Sequence, residues 1–129
     1  MTKIESFNDY QNFTHSLAVY NEDVELIIKN DDEAFVSLPM TYTYPVLALA
    51  EEAGEVAGKL AKFIRKSKGG VDPLALRDMV VKELGDVLYQ VSETARQFEI
   101  TLQDVVDVNV HKLTDRQDRG VIVGEGDNR

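Results

Sequence analysis

The sequence predicts an all-α fold: a bundle of four to five helices that is oligomeric and ends in a short extended tail. Its 129 residues fit a single domain, and apolar residues recur at helical spacing in several separate segments. A domain of this length buries a smaller fraction of its surface than a larger one does. We therefore expect a partner subunit to cover part of it.

Composition and charge exclude several classes of protein. The chain carries 23 acidic and 14 basic residues, a net charge of −9, and lacks the basic surface that binds nucleic acid or anionic membranes. The absence of cysteine excludes disulfides, thiolate catalysis and cysteine-ligated metals, and leaves oxygen and nitrogen ligands. Neither a membrane-spanning apolar run nor a signal peptide is recognisable. We expect a cytoplasmic protein that binds neither nucleic acid nor membranes.

The first helix is predicted over residues 7–20. Ser6 suits its N-cap, with Asp9 three positions on. Apolar and aromatic residues follow at helical spacing, namely Tyr10, Phe13, Leu17 and Tyr20. Residues 21–43 are predicted to form a loop because they contain an acidic run and Pro39, although apolar residues near position 26 could extend the helix.

The second and third helices are predicted over residues 44–66 and 73–98. Pro45 suits the first turn of the second helix, and Asp72 suits the N-cap of the third. Each helix carries a stripe of apolar residues: Val46, Ala50, Ala53, Ala57, Leu60 and Ile64, then Val80, Leu84, Val87, Val91, Ala95 and Phe98. Because the link between them is short, we expect the two helices to be antiparallel neighbours. We expect the second helix to pack against another helix through its apolar stripe.

The fourth helix is predicted over residues 101–118. Thr101, with Asp104 three residues later, marks its start, and Arg119 and Gly120 mark its end. Its inward face is expected to contain Leu102, Val105, Val106, Asn109 and Leu113. Residues 119–129 are expected to form the extended tail.

Two acidic segments match residue for residue in chemical type. They are Glu52-Ala-Gly-Glu55-Val56 and Glu83-Leu-Gly-Asp86-Val87, which lie 31 positions apart on the second and third helices. At 100° per residue, all four acids occupy the same flank of their apolar stripes. An antiparallel pair can therefore close a cleft that carboxylates line from both sides.

Each acidic segment also contains a glycine in mid-helix, at Gly54 and Gly85. A glycine there costs about 1 kcal/mol relative to alanine. Close approach of two helix backbones, or of a bulky ligand, is the usual reason for such a residue. We expect one of these at both positions.

Four carboxylates in a partly buried cleft repel one another, and a divalent cation removes the repulsion. Oxygen ligands select a hard ion, and Mg²⁺ usually shares its shell with substrate phosphates. We therefore expect a Mg²⁺ site, with Mn²⁺ as a substitute, for phosphate chemistry at Glu52, Glu55, Glu83 and Asp86. The alternative is that these are ordinary solvated acids on amphipathic helices.

The cationic and amide residues nearby could bind an anion. Asn109, Lys112 and Arg116 share one face of the fourth helix, and a buried Asn needs a hydrogen-bond partner. Alternatively, a neighbouring backbone satisfies the Asn and the two cations favour the helix C-terminus. Lys59 flanks the carboxylate cleft and either binds phosphate or neutralises the acids.

The two histidines are not expected to be catalytic. Neither His15 nor His111 follows a Glu by three residues, which is the spacing in di-iron helical bundles. We therefore expect both at the surface or at an edge of the bundle, and no ferritin-like redox site.

At these residues the sequence resembles the MazG-like, all-α nucleoside triphosphate pyrophosphohydrolase family. The hallmark of that family is E-x-x-E, followed after a spacer by E-x-x-D. Here Glu52 and Glu55 form the first half, and Glu83 and Asp86 form the second after 27 residues. The likeness extends through residues 44–55, 82–89 and 109–116 and through the tail 119–129.

The resemblance implies Mg²⁺-dependent hydrolysis of a (deoxy)nucleoside triphosphate between its α and β phosphates, giving monophosphate and pyrophosphate. It implies metal-binding and catalytic roles for Glu52, Glu55, Glu83 and Asp86. It implies substrate contacts for Asn109 and Lys112, with Arg116 a weaker candidate. It also implies a homodimer or homotetramer with the site near a subunit boundary.

Other functions remain compatible with the sequence. One is a non-catalytic regulatory module that binds a nucleotide or a protein, and another is hydrolysis of an alarmone-type nucleotide. A third is a purely structural oligomer. The acidic stretch at residues 21–41 is longer than the connection expected in the family, and it leaves base specificity open.

Overall fold

The computed structural model describes residues 3–19, 25–29, 35–66 and 72–123. Within them the chain forms four helices and one small hairpin, so the all-α fold class is confirmed. The helices are α1 (Phe7–His15), α2 (Met40–Lys66), α3 (Pro73–Gln97) and α4 (Leu102–Asp118). The strands are β1 (Glu25–Lys29) and β2 (Phe35–Pro39). None of these helices is long and apolar enough to cross a membrane.

The hairpin lies in the segment predicted as a loop. β1 and β2 pair antiparallel, with Glu25 opposite Pro39 and Lys29 opposite Phe35. The loop prediction is therefore wrong for both strands, and also for residues 40–43, which begin α2. The physical reason is that each strand contains a pair of β-branched or aromatic residues, Ile27 and Ile28 in β1 and Phe35 and Val36 in β2, which favour extended backbone.

Two helix ends differ from their predicted positions. α1 ends at His15, because the N–H groups of Ser16 and Leu17 turn back to carbonyls three residues earlier. Tyr20, expected on this helix, lies outside the described residues. α2 starts earlier than expected, so Pro45 lies inside the helix and is buried there. Its ring leaves the carbonyl four residues before it without the usual N–H partner.

The predicted N-caps of α3 and α4 are present in the structure. Asp72 accepts a hydrogen bond from the backbone N–H of Leu74 at 3.0 Å. Thr101 and Asp104 form a reciprocal capping box, each side chain accepting from the other residue's backbone N–H. Gly120, just past the end of α4, has φ +68°, which glycine adopts without strain. Residues 124–129 of the tail lie outside the described part of the chain.

α2 and α3 run antiparallel and form the most extensive helix contact in the described residues. Tyr44 near the start of α2 interacts with Tyr89 late in α3, whereas Lys59 pairs with the earlier Glu83. This arrangement agrees with the short link between the two helices. It brings the two acidic segments opposite each other.

The apolar stripe of α2 does not face α3, contrary to expectation. Val46, Leu60 and Ile64 are 46%, 49% and 61% exposed, and the three alanines of the stripe are exposed as well. α2 instead buries a face that includes Ala48 and Glu52. Apolar spacing predicts a face that packs against something, but it does not say whether the covering helix belongs to the same chain.

The predicted faces of α3 and α4 are only partly buried. On α3, Ala95 is buried whereas Leu84 and Phe98 are exposed. On α4, Leu102 is 2% exposed, whereas Asn109 and Leu113 lie on the surface. Burial is therefore concentrated around the second half of α3 and the start of α4, where α1 also packs.

Polar side chains hold α1 in this core. The amide nitrogen of Gln11 donates to the carbonyl oxygens of Ser92 and Ile100 at 3.3 and 3.0 Å. Its amide oxygen accepts from the backbone N–H of Leu102 at 3.2 Å. One buried side chain thus joins α1 to α3 and to the first residue of α4.

A carboxylate lies at the centre of the same contact. Glu93 has no exposed surface, and its Oε1 accepts from the Thr14 hydroxyl at 3.1 Å. That hydroxyl also lies 2.9 Å from the Ser92 hydroxyl. His15 Nδ1 lies 3.3 Å from Oε2 of Glu93, and the ring is partly exposed at the edge of the bundle. A buried acid is tolerated when its oxygens are hydrogen-bonded in this way.

Candidate active site

Carboxylates from α2 and α3 converge at the helix contact. Glu52 on α2 and Glu83 and Asp86 on α3 each offer one oxygen, and these oxygens all lie within 4.8 Å of one another. Glu52 and Glu83 are half-buried, and Asp86 is exposed. Three oxygen ligands at such spacing can hold one hard divalent cation. We call these residues the acidic group.

The acids repel one another in this arrangement. Burial raises the pKa of the Glu52 carboxyl above its usual value, and the negative charges of Asp86, Glu51, Glu83 and Glu55 raise it further. Repulsion of this kind favours either a bound proton or a bound cation. The repulsion between carboxylates from which the sequence predicts a bound cation is therefore present among these side chains.

Glu55 does not belong to the acidic group, although the sequence predicts it there. Its carboxylate is half-exposed and lies 3.7 Å from the ammonium of Lys59. The same ammonium lies 3.0 Å from Oε1 of Glu83, and this hydrogen bond is the main cause of the raised pKa of Lys59. Of the two roles predicted for Lys59, neutralising the acids and binding phosphate, this pairing agrees with the first.

Tyr10 lies near Asp86 of the acidic group, and Tyr89 lies near Tyr10 and Tyr44. Burial raises the pKa of Tyr10, and the charge of Asp86 raises it further, which places the two side chains close together. Burial also raises the pKa of Tyr89, which interacts with Glu93, Tyr44 and Tyr10. Tyr10 also lines a groove of about 530 Å³ between the start of α1 and the helices α3 and α4.

Sequence reasoning missed these tyrosines as neighbours of the site. Tyr89 follows Asp86 by three residues and so shares its helix face, a signal that was available. The helical spacing of Tyr10 with Phe13 and Leu17 favours a core position, with stacking on a base as the alternative. No local pattern could place Tyr10 beside Asp86, because α1 reaches α3 through a contact between residues about 80 positions apart.

The predicted residues of α4 lie in two different environments. Asn109 and Lys112 are exposed and line a separate groove of about 390 Å³ with Val105 and Val108. Arg116 is 5% exposed and belongs to the interior. Glu52, Glu83 and Asp86 are not among the residues that line the groove of Asn109 and Lys112.

The two mid-helix glycines do not mark a close approach of helices within the chain. A Cβ atom built on Gly54 or Gly85 meets no atom within 4 Å among the described residues. Of the two predicted reasons for these glycines, backbone contact inside one protomer is therefore wrong.

The model of the MazG nucleotide pyrophosphohydrolase domain matches residues 41–121. The chain belongs to this family. The matched range contains α3, α4, all but the first residue of α2, and all four predicted acids. The chain is also 45% identical over 87 residues to the Gene 37 protein of Mycobacterium phage L5, which covers 67% of this chain and 75% of that protein. No solved structure matches the chain significantly.

The acidic group of this MazG domain fits a metal ion by its chemistry. All of its ligand atoms are carboxylate oxygens, they come from two helices that a tight contact holds together, and their mutual repulsion is relieved by positive charge. Asp86 is exposed, so an ion and its remaining ligands can reach the group from solvent.

Proposed function

We propose that this MazG domain is a Mg²⁺-dependent nucleoside triphosphate pyrophosphohydrolase. It cleaves the bond between the α and β phosphates and releases a nucleoside monophosphate and pyrophosphate. The convergence of Glu52, Glu83 and Asp86 within 4.8 Å carries this proposal. Carboxylate ligands favour Mg²⁺, with Mn²⁺ as a substitute. A nucleotide substrate would place the protein in the cytoplasm.

The acids have distinct tasks in the proposed reaction. A bound Mg²⁺ would neutralise phosphate charge and lower the pKa of a coordinated water. The ionised carboxylates of Glu52, Glu83 and Asp86 would hold this cation. Glu55, which lies outside the acidic group, accepts the proton of the attacking water. The water oxygen forms a bond to the α phosphorus while the bond from that phosphorus to the oxygen bridging the α and β phosphates breaks. The electron pair of the broken bond stays on the bridging oxygen, which leaves as part of pyrophosphate.

Cationic and amide groups complete the proposed site. Lys59 lies beside Glu83 and is proposed to contact a phosphate. Asn109 and Lys112 are proposed to bind the nucleotide, and they are exposed and available to do so. Arg116 is the weakest of the proposed contacts because the protomer buries it. Since Asn109 and Lys112 line a separate groove, we propose that a second copy of the chain supplies them.

A second copy also explains the exposed stripe of α2. Val46, Leu60 and Ile64 leave a continuous apolar row on the outside of the helix. The row repeats at alternating spacings of four and three, which is typical of helices that pack against other helices. We propose a homodimer or a homotetramer in which this row is covered.

Product analysis tests the proposed reaction. The purified chain is incubated with common nucleoside and deoxynucleoside triphosphates, in Mg²⁺ and in EDTA, and the products are separated. We expect monophosphate and pyrophosphate in Mg²⁺ only. Diphosphate with orthophosphate would overturn the assigned bond. No turnover of any nucleotide would reject the proposal and favour an alarmone substrate or a regulatory module.

Matched variants connect the reaction to the acidic group. Asp86→Asn should lower turnover by at least about a hundredfold, because it removes one charged metal ligand. Glu51→Gln is the control, since Glu51 precedes Glu52 on the same helix but lies outside the acidic group. Equal loss in both variants would contradict the assigned site, and thermal melts check that both variants fold.

A further inference from the structure

Two glutamines are buried among the described residues, and they differ in what they contact. Gln11 and Gln90 are each 6% exposed. The carboxamide of Gln11 is hydrogen-bonded to three backbone groups. The side-chain oxygen of Gln90, on α3, has no hydrogen-bond partner in the part of the chain that the structure describes. A buried amide oxygen without a partner costs free energy that an apolar side chain would not cost, so this position needs an explanation.

Gln90 belongs to a row of polar residues on one face of α3. Asp86, Gln90 and Thr94 follow one another at intervals of four, and Glu83 precedes Asp86 by three. We call these four residues the polar row. The hydroxyl oxygen of Thr94 is also buried without a hydrogen-bond partner among the described residues. The polar row thus begins in the acidic group and continues for two helical turns beyond it.

The polar row faces α2. Glu52 of α2 offers an oxygen within 4.8 Å of oxygens of Glu83 and Asp86. Because the two helices are antiparallel, Ala48 and Gln90, each one turn away from these acids, lie at the same level. Ala48 is buried, and its methyl group neither donates nor accepts a hydrogen bond. The residue of α2 that lies level with Gln90 therefore leaves the carboxamide without a partner.

The carboxamide of Gln90 lies within reach of a ligand that the acidic group holds. Gln90 follows Asp86 by four residues, which is about 6 Å along the helix. Side chains in a helix lean toward its N-terminus, which here is the direction of Asp86. The terminal torsion of glutamine is soft, so the buried oxygen can turn toward the cleft when a ligand enters it.

The sugar is the part of the proposed substrate that suits this position. The acidic group is proposed to lie at the bond between the α and β phosphates, and the sugar is the next group after the α phosphate. Ionised phosphate oxygens only accept hydrogen bonds, so they cannot satisfy the oxygen of Gln90. A sugar hydroxyl donates one hydrogen bond and accepts others, which matches both ends of a carboxamide.

We propose that the carboxamide of Gln90 accepts a hydrogen bond from a hydroxyl group of the substrate sugar. This inference rests on the proposed function and adds how the site selects its substrate. A sugar that lacks the contacted hydroxyl leaves a buried oxygen unpaired, and a site of this kind discriminates against such an analogue. Gln90 is therefore a specificity-determining residue for the sugar, and the contacted group is the 2′- or the 3′-hydroxyl.

A series of sugars tests the proposed contact. The ribo, 2′-deoxy and 2′,3′-dideoxy forms of the triphosphate that the wild type cleaves best are compared by kcat/KM. We expect the wild type to lose about tenfold or more at the step that removes the contacted hydroxyl, and Gln90→Met to lose less than about twofold there. A loss at the first step assigns the 2′-hydroxyl, and a loss at the second assigns the 3′-hydroxyl. Equal discrimination in both proteins, or none in the wild type, would overturn the inference and leave the proposed function standing.

Thr94→Val is the matched control, because it also removes a buried oxygen without a partner but lies one turn farther from the acids. It should keep the discrimination between sugars that the wild type shows. Urea unfolding in EDTA gives a second readout. Gln90→Met and Gln90→Leu should unfold at the same urea concentration as the wild type or at a higher one, because each removes an unpaired buried oxygen. A lower midpoint in both variants would show that a trapped water or the protein itself satisfies the carboxamide, and it would overturn the inference.

Binding of monophosphates separates a failure of this inference from a failure of the proposed function. Calorimetric titration with ribo-, 2′-deoxy- and 2′,3′-dideoxynucleoside monophosphates of the common bases in Mg²⁺ needs no turnover. If the wild type hydrolyses no nucleotide, the proposed function fails. The sugar contact then stands if the wild type binds the form without the hydroxyl about tenfold more weakly and Gln90→Met does not. It fails if the two proteins bind all three forms alike.

Discussion

The ammonium of Lys59 on α2 lies 3.0 Å from a carboxylate oxygen of Glu83 on α3. This ion pair joins the two helices at the acidic group. Glu83 is one of the three acids that could hold a cation, so Lys59 supplies positive charge at the position where a metal ion would supply it. The metal-free protein is thereby spared part of the repulsion that its acids would otherwise feel.

Replacing Lys59 should have opposite effects on stability and metal binding. In Lys59→Met, Glu83 loses its cation, so the metal-free protein should melt at a lower temperature. Mg²⁺ without nucleotide should bind several-fold more tightly, because it no longer competes with the ammonium. Glu83 raises the pKa of Lys59 above 10.5, so the ion pair is present at neutral pH, and its contribution is lost as the pH rises above 10.5 and through the raised pKa of Lys59.

Melts in EDTA and calorimetric titration with MgCl₂ measure the two effects. Lys62→Met is a control in which a lysine one turn away is removed. Weaker Mg²⁺ binding in Lys59→Met would contradict the competition and would show that Lys59 shapes the acidic group instead.

Glu52 should oppose folding of the metal-free protein at neutral pH. Burial and the neighbouring acids raise its pKa above 4.5, so the folded chain holds this proton more tightly than the unfolded chain does. The penalty is present at pH values above the folded pKa and disappears as the pH falls below 4.5. In EDTA, Glu52→Gln should therefore melt at a higher temperature than the wild type near pH 7.

The advantage of Glu52→Gln should vanish toward pH 4, and the stabilisation that Mg²⁺ gives the wild type should be absent from the variant. Thermal melts at several pH values, with EDTA and with Mg²⁺, give both results. A variant that melts lower than the wild type at pH 7 in EDTA would indicate that Glu52 is structural.

Local chemistry in the sequence was sufficient to predict the starts of α3 and α4 and the three members of the acidic group. Asp72 and Thr101 cap their helices through their own side chains, and such caps depend on a few neighbouring residues. Helical phase likewise placed Glu52, Glu83 and Asp86 on facing flanks. Helical phase places Glu55 on the same flank as these three acids. It could not predict that Glu55 pairs with Lys59 instead, because that pairing depends on the conformations of the two side chains.

The features that the sequence did not predict depend on long-range contacts. Glu93 is an acidic residue inside a helix, and its burial is made tolerable by contacts that α1 brings to it, among them those of Thr14 and His15. Leu60 and Ile64 are exposed, and apolar spacing alone does not tell which face of α2 packs against α3. The hairpin required two short apolar runs to pair with each other rather than to extend a helix.

Replacing the mid-helix glycines tests whether a second copy of the chain contacts them. An alanine at Gly54 or Gly85 would meet no atom of the described residues, so Gly54→Ala and Gly85→Ala should each stabilise an isolated protomer by about 1 kcal/mol. Urea unfolding at low protein concentration measures this, with Gly58→Ala as a third open position on α2. A loss of stability or of oligomers in Gly54→Ala alone would show that a second copy contacts that residue.

Removing the Gln11 side chain should detach α1 from the core. Gln11→Ala takes hydrogen bonds from the carbonyls of Ser92 and Ile100 and from the N–H of Leu102. Unpaired buried groups each cost about 1 to 3 kcal/mol, and partial entry of water reduces the total, so we expect a loss of about 2 to 3 kcal/mol.

Urea unfolding should show this loss as a lower midpoint with an unchanged slope, whereas Asn12→Ala, at the exposed neighbouring position, should change stability by less than about 0.5 kcal/mol. Gln11→Glu retains the oxygen that accepts from Leu102 but turns a second oxygen toward two carbonyls, so it should be at least as destabilising as alanine. Similar stability of Gln11→Ala and Asn12→Ala would contradict the anchoring role. Because Tyr10 precedes Gln11 and lies beside Asp86, loosening α1 should also lower the pKa of Tyr10 toward its ordinary value, which spectrophotometric titration of the tyrosines can follow.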